Sequence, residues 1–121
     1  TGHLQYAGAH NPLYIVNSSK ELNQLKPDNQ TVAINIKMRP FTNHEMQLSK
    51  GDCIYLASDG YHDQFGGPQN SKFKKTQLMD LILAIADKPM IEQGELLDST
   101  FEHWKGKYEQ TDDVTIVGMR F

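Results

Sequence analysis

Cys53-Ile54-Tyr55-Leu56-Ala57 is apolar at every position and runs straight into Ser58-Asp59-Gly60. An unbroken apolar run of strand length has no polar face to offer water. It therefore predicts a central strand covered on both sides, and hence layers above and below a sheet. Ser49-Lys50-Gly51-Asp52, just before it, reads as a tight turn, and His44 to Leu48 alternates polar with apolar residues. Further upstream, Leu4 to Ala9 and Leu13 to Val16 read as two strands joined at His10-Asn11-Pro12 into a hairpin. Asn17-Ser18-Ser19-Lys20 is a turn and Glu21 to Leu25 a third strand, while Val32 to Met38 is a strand or an irregular lead-in.

Downstream the period changes. Residues 66–75 read as a loop. Leu78, Leu81, Ile82 and Ile85 then recur at helical spacing, with Thr76 as the expected N-cap. A second helix is expected to open with Pro89 in its first turn, to line Met90, Gly94, Leu97, Phe101 and Trp104 on one stripe, and to end at Gly106. The helical pair is thus expected near 76–87 and 89–105, followed by a last strand over Val114–Phe121. Strands, two helices and a final strand make an α+β chain with antiparallel sheet and a helical pair on one face.

Composition narrows the class. The 121 residues carry 12 Lys and Arg against 15 Asp and Glu, a formal charge of −3, which argues against nucleic-acid binding through a basic face. The single cysteine, Cys53, excludes an internal disulfide framework and a cysteine-built zinc cage, and points to a reducing, cytoplasmic setting. No basic leader followed by an apolar stretch opens the chain, and no run is long enough for a membrane span. Both ends fall inside strand-like patterns, which predicts a piece of a larger domain.

Two segments carry chemistry. Ser58-Asp59-Gly60 follows the most buried strand, and Thr111-Asp112-Asp113 precedes the last one. Aspartates at strand ends are held stiffly while their carboxylates meet solvent, and Gly60 lets the backbone turn away. Hard oxygen ligands of this kind suit Mg²⁺ or Mn²⁺. By pattern alone, the first segment reads foremost as a turn and the second as a loop with solvated charges. His10 reads as structural or solvent-facing, His62 as a partly exposed helix-start residue or, alternatively, one lining the cleft, and Lys72, Lys74 and Lys75 as a solvated loop or, alternatively, a cluster attracting a phosphorylated substrate.

The string Tyr55-Leu56-Ala57-Ser58-Asp59-Gly60-Tyr61-His62-Asp63-Gln64-Phe65 resembles the Ser-Asp-Gly segment of the PPM (PP2C-like) metal-dependent phosphatases, in their bacterial SpoIIE-like branch. Tyr6-Ala7-Gly8-Ala9-His10-Asn11-Pro12-Leu13 is similar to the family's Ala-Gly-His-Asn-Pro hairpin. Leu48-Ser49-Lys50-Gly51-Asp52 resembles the turn feeding its central strand, and Thr111-Asp112-Asp113-Val114-Thr115 its terminal aspartate strand. The four matches stand in the family's order.

This resemblance implies an α-β-β-α sandwich with a two-metal Mn²⁺ or Mg²⁺ site. Asp59 and Asp112 correspond to metal ligands, and Gly60, His62, Asp63 and Asp113 lie around them. The implied activity is hydrolysis of phosphoserine or phosphothreonine by a metal-activated water, with no further catalytic side chain. The implied partners are a phosphorylated protein substrate and an upstream sensor or regulatory domain, which could itself be membrane-bound.

The family's first Asp-x-Thr-Gly-His-Gly type segment has no counterpart here, and Gln30-Thr31-Val32-Ala33-Ile34 stands where a Met-Pro-Ile-Gly-like stretch is common. Residues 1–121 thus match the C-terminal half of the domain. A half domain is expected to bind metal weakly or not at all, to be nearly inactive alone, and to self-associate through uncovered sheet. The reading from a different class is a catalytically incomplete, phosphatase-like regulatory interaction module.

Overall fold

The computed structural model of the chain describes residues 3–7, 11–25 and 43–121. They belong to two compact units, Thr1–Leu56 with Gly118–Phe121, and Ala57–Val117. The predicted segment at 32–38 and residues 8–10 of the predicted hairpin lie outside the described residues.

In the first unit, β1 (His3–Tyr6) pairs antiparallel with β4 (His44–Gln47). β2 (Leu13–Val16) is central in a second sheet, antiparallel to β3 (Leu22–Leu25) on one side and β5 (Cys53–Ala57) on the other, with β8 (Ile116–Arg120) beyond β5. The two sheets pack face to face. Tyr6 and Leu48, with Leu4 and Met46, meet Leu13 and Ile15, with Leu25 and Ile54. Side chains alternate along a strand, so Tyr14, Val16, Cys53 and Tyr55 belong to the opposite face, and they too are buried. The all-apolar run at 53–57 is therefore buried on one face at Cys53, Tyr55 and Ala57, while on the other Ile54 is partly buried and Leu56 exposed, so the cover expected on both sides is incomplete among the described residues.

This arrangement corrects the expected hairpin: among the described residues, β1 and β2 are not paired with each other. They lie in different layers, because Leu4 and Tyr6 share a core with Leu13 and Ile15 across the sheets. Sequence adjacency suggested a ladder where the apolar faces instead made a sandwich.

The turn at 49–52 forms as predicted. Asp52 N–H donates to Ser49 O at 3.0 Å, Ser49 N–H donates to the Asp52 carboxylate at 2.9 Å, and Gly51 takes a φ of 96° that suits glycine. Gly51 N–H also donates to Phe121 O, and Phe121 N–H to Asp52 O, both at 2.8 Å, so the end of β8 is tied to this turn. Cys53 Sγ accepts from Arg120 Nε at 3.5 Å.

In the second unit, the expected loop at 66–75 contains a small hairpin, β6 (Phe65–Gly66) with β7 (Ser71–Lys72). Two helices follow, α1 (Lys75–Ile85) and α2 (Met90–Lys105). Leu78, Ile82, Ile85, Leu97 and Phe101 are buried as the spacing predicts, whereas Leu81, Met90 and Trp104 are partly buried and Gly94 is exposed. Thr76 is not the cap. The helix starts one residue before it, because Lys74 adopts φ 78° and its carbonyl accepts Leu78 N–H. Pro89 sits just before α2 rather than in its first turn, accepting Gln93 N–H through its carbonyl. Gly106 ends α2 with a positive φ, its N–H donating to Glu102 O. The last strand begins at Ile116, later than expected.

An aromatic cluster fills this unit. Tyr61 packs on Phe73 and Phe101, and Phe73 on Trp104, with ring centroids 5.1–5.4 Å apart. Among the described residues, no helix is long and apolar enough to cross a membrane.

Candidate functional site

Ser58 leaves β5 and stitches it to the approach of β8. Its N–H donates to Thr115 O at 2.8 Å, and its Oγ accepts Thr115 N–H at 3.0 Å while lying 3.5 Å from Asp113 O. The hydroxyl thus stands in for a backbone carbonyl and holds the Ser58–Gly60 backbone against Asp113–Thr115. Gly60 is buried at this crossing, where a Cβ would collide with the Asp113 carbonyl oxygen. Its role is close backbone approach, in addition to the turn foreseen from sequence. Asp59 begins the next turn, closed by Asp63 N–H donating to Asp59 O at 2.9 Å.

Asp59, Asp112 and Asp113 are all exposed. Asp112 Oδ1 accepts Asp113 N–H at 2.8 Å, and Gln110 Nε2 donates to Asp112 O at 2.9 Å, so the second segment has its own local order. Gln110, Thr111, Asp112 and Asp113 line an open depression of about 390 Å³. A separate cavity of about 310 Å³ runs along α2, between Leu97, Phe101, Tyr61 and Val114, with neither Asp59 nor Asp112 in its wall.

The flanking residues are also fixed. Asp63 lies 3.6 Å from Lys72 Nζ and 4.0 Å from His62 Nε2. The His62 side chain is 17% exposed, and its buried Nδ1 has no hydrogen-bond partner among the described residues. Burial lowers its pKa from 6.5, opposed by Asp63 and Asp59 and reinforced by Lys75 and Lys72. Tyr61, whose hydroxyl donates to Leu97 O at 2.7 Å, is raised well above the usual phenol range by burial and then by Asp98.

Sequence reasoning missed Gln64. It is fully buried, and Nε2 donates to Phe65 O at 2.9 Å and to Glu109 O at 2.8 Å, while Oε1 accepts Thr111 N–H at 3.4 Å. Its own carbonyl accepts Trp104 Nε1–H at 2.9 Å and Phe73 N–H at 3.0 Å. One amide thus ties the Asp59 turn to the segment leading into Asp112. A lone glutamine inside a polar-looking stretch gives no periodic signal that would mark it.

The donor chemistry fits a hard divalent cation in kind: carboxylate oxygens facing water. It falls short in number, because among the described residues no three His, Cys, Asp or Glu side chains are grouped to hold one.

The family profile of Stage II sporulation protein E (SpoIIE) matches residues 1–121. The chain belongs to the SpoIIE family. Among solved structures, the SiaA-PP2C domain of Pseudomonas aeruginosa is 31% identical with a TM-score of 0.90, covering 99% of this chain and 47% of that one. The RsbU and RsbW domains of Rv1364c from Mycobacterium tuberculosis match at 26% identity and TM-score 0.67, over 99% of this chain and 32% of theirs. The PP2C phosphatase domain of SpoIIE from Bacillus subtilis, solved with a fragment of its regulatory domain, shares the fold at 20% identity and TM-score 0.70, over 98% and 33%. No curated protein matches the chain. The fold is that of a SpoIIE-type PP2C phosphatase domain, and the chain spans about half of the SiaA domain it matches.

Proposed function

We propose that residues 1–121 are the C-terminal half of a metal-dependent protein serine/threonine phosphatase domain. In this reading the parent hydrolyses phosphoserine and phosphothreonine in a phosphorylated protein, under an attached sensor or regulatory domain, in the cytoplasm. The observation that carries it is the Ser58–Thr115 stitch, with Gly60 against Asp113, which draws the two aspartate-bearing segments together. Asp59 and Asp112 would hold Mn²⁺ or Mg²⁺. Bound there, the cation supplies Lewis acidity toward water and the phosphoryl oxygens. Ser58 and Gly60 fix the backbone that bears Asp59, Gln64 fixes the approach to Asp112, and Asp63, His62 and Asp113 flank the carboxylates.

The remaining ligands come from outside this chain, so the chain alone is metal-poor and nearly inactive. It also self-associates. β8 is an edge strand among the described residues, and Leu56, Met119 and Phe121 are 42%, 55% and 47% exposed. The lack of a three-ligand cluster among the described residues favours a second reading, a regulatory module with an incomplete site.

Hydrolysis of an aryl phosphate with Mn²⁺, by the parent and by this chain, decides between them. The first reading expects turnover by the parent that Asp59→Asn and Asp112→Asn abolish, and almost none by the chain. A parent without turnover supports the second reading. Turnover by the parent that survives both substitutions removes the two aspartates from the site.

A further inference from the structure

Between Asp63 and Asp80 the chain has no acidic residue, yet it carries Lys72, Lys74 and Lys75 in a protein of net charge −3. Lys72 ends β7, and Lys74 and Lys75 stand at the start of α1. This segment is laid directly on the turn that begins with Asp59. Phe73 N–H donates to Gln64 O at 3.0 Å and Lys74 N–H to His62 O at 2.8 Å.

Lys72 Nζ is 3.6 Å from Asp63 and sits 5.9 Å from the Phe65 ring centroid, which limits its wandering. The charges of Lys72 and Lys75 reach the His62 imidazole together with those of Asp63 and Asp59, so these groups share one small surface. All three lysines are exposed, and among the described residues Lys74 and Lys75 have no acidic partner. Lys74 also holds φ 78° and ψ 147°, a backbone state suited to glycine, so the chain bends sharply where it presents this side chain.

We propose that Lys72, Lys74 and Lys75 form a docking patch for an acidic stretch of the phosphorylated protein substrate, beside the Asp59–Asp63 turn. This rests on the phosphatase reading above. The three ammonium groups are spread from the end of a hairpin to the start of a helix. They therefore suit the residues flanking a phosphoserine better than the phosphate itself. Exposed lysines steer and hold an anionic partner without entering the chemical step. A nucleic acid is a poorer match, because its repeating phosphates call for a longer basic face than three lysines supply.

The test uses two fluorescein-labelled phosphoserine peptides, one flanked by glutamates and one by glutamines, titrated with the protein at low salt. The acidic peptide should bind about tenfold tighter, with the advantage lost at high salt. Combined Lys72→Gln, Lys74→Gln and Lys75→Gln substitution should remove the advantage. Lys50→Gln with Lys107→Gln, which lowers the charge elsewhere, should leave it in place. In the parent, the triple variant should raise KM for the acidic peptide while kcat on an aryl phosphate stays unchanged.

Circular dichroism checks that each variant is folded, and if the triple variant is not, the three single substitutions replace it. Equal binding of the two peptides by the wild type overturns the patch. So does an advantage that survives the lysine substitutions, or tighter binding of a labelled RNA oligomer than of the acidic peptide. A parent that turns over neither peptide nor aryl phosphate defeats the phosphatase reading instead, and the binding comparison still judges the patch.

Discussion

Gln64→Leu offers the sharpest test of how the two aspartate segments are held. The side chain is fully buried and makes two good hydrogen bonds, at 2.9 and 2.8 Å, and one long one at 3.4 Å. Leucine fills a similar volume but serves none of these groups. Glu109 and Thr111 are exposed, so water can take over part of what is lost there. Counting the two good bonds at about 1 kcal/mol each and the long one as negligible gives a loss of about 2 kcal/mol. For a chain of this length, that is a fall in Tm of roughly 6–10 °C. Thermal and urea unfolding measure the stability, and amide hydrogen exchange reads the local effect. Thr111 N–H, which donates to Gln64 Oε1, should exchange faster in the variant, while Asp63 N–H, bonded to Asp59 O, changes little. A variant within about 0.5 kcal/mol of wild type, with Thr111 exchange unaltered, would refute the claim that Gln64 positions the approach to Asp112.

Two further outcomes follow from the same unit. Gly60→Ala should destabilise by about 2 kcal/mol or more, because the new Cβ meets the Asp113 backbone, whereas Gly94→Ala, with nothing within 4 Å of its Cβ on the exposed side of α2, should stabilise by roughly 0.5–1 kcal/mol; denaturation midpoints that rank the pair the other way contradict the close approach. His62 is lowered from 6.5 in the folded state, so the unfolded chain takes up the proton first. Stability should be flat above that pH and decline as pH falls through it, and His62→Gln should remove this part of the slope in a pH series of urea titrations.

The sequence was legible where one residue pattern had one physical solution. The 53–57 run had to be a strand inside a sheet, though Leu56 on one of its faces stays exposed, and Leu78, Ile82, Ile85, Leu97 and Phe101 had to face inward from two helices. Four segments in the family's order, from Tyr6–Leu13 to Thr111–Thr115, were together enough to suggest the family. Pairing was less legible. Tyr6 and Leu13 are close in sequence, but their apolar faces meet across two sheets rather than along one ladder, and alternation alone does not distinguish the two. The start of α1 was misread because Thr76 has capping chemistry, whereas the boundary is set by Lys74 bending where His62 O takes its N–H. Gln64 was invisible because its importance lies in side-chain bonds to Glu109 and Thr111, both distant in sequence.

The burial of Cys53 gives the molecule a reporter that needs no engineering. It is the chain's single thiol, 2% exposed, in a strand hydrogen-bonded within the four-stranded sheet. A thiol reagent can reach the sulfur only when β5 separates from its neighbours. The labelling rate of the untouched protein therefore times that opening event, and its dependence on temperature or on added phosphopeptide reads how firmly the central strand is held.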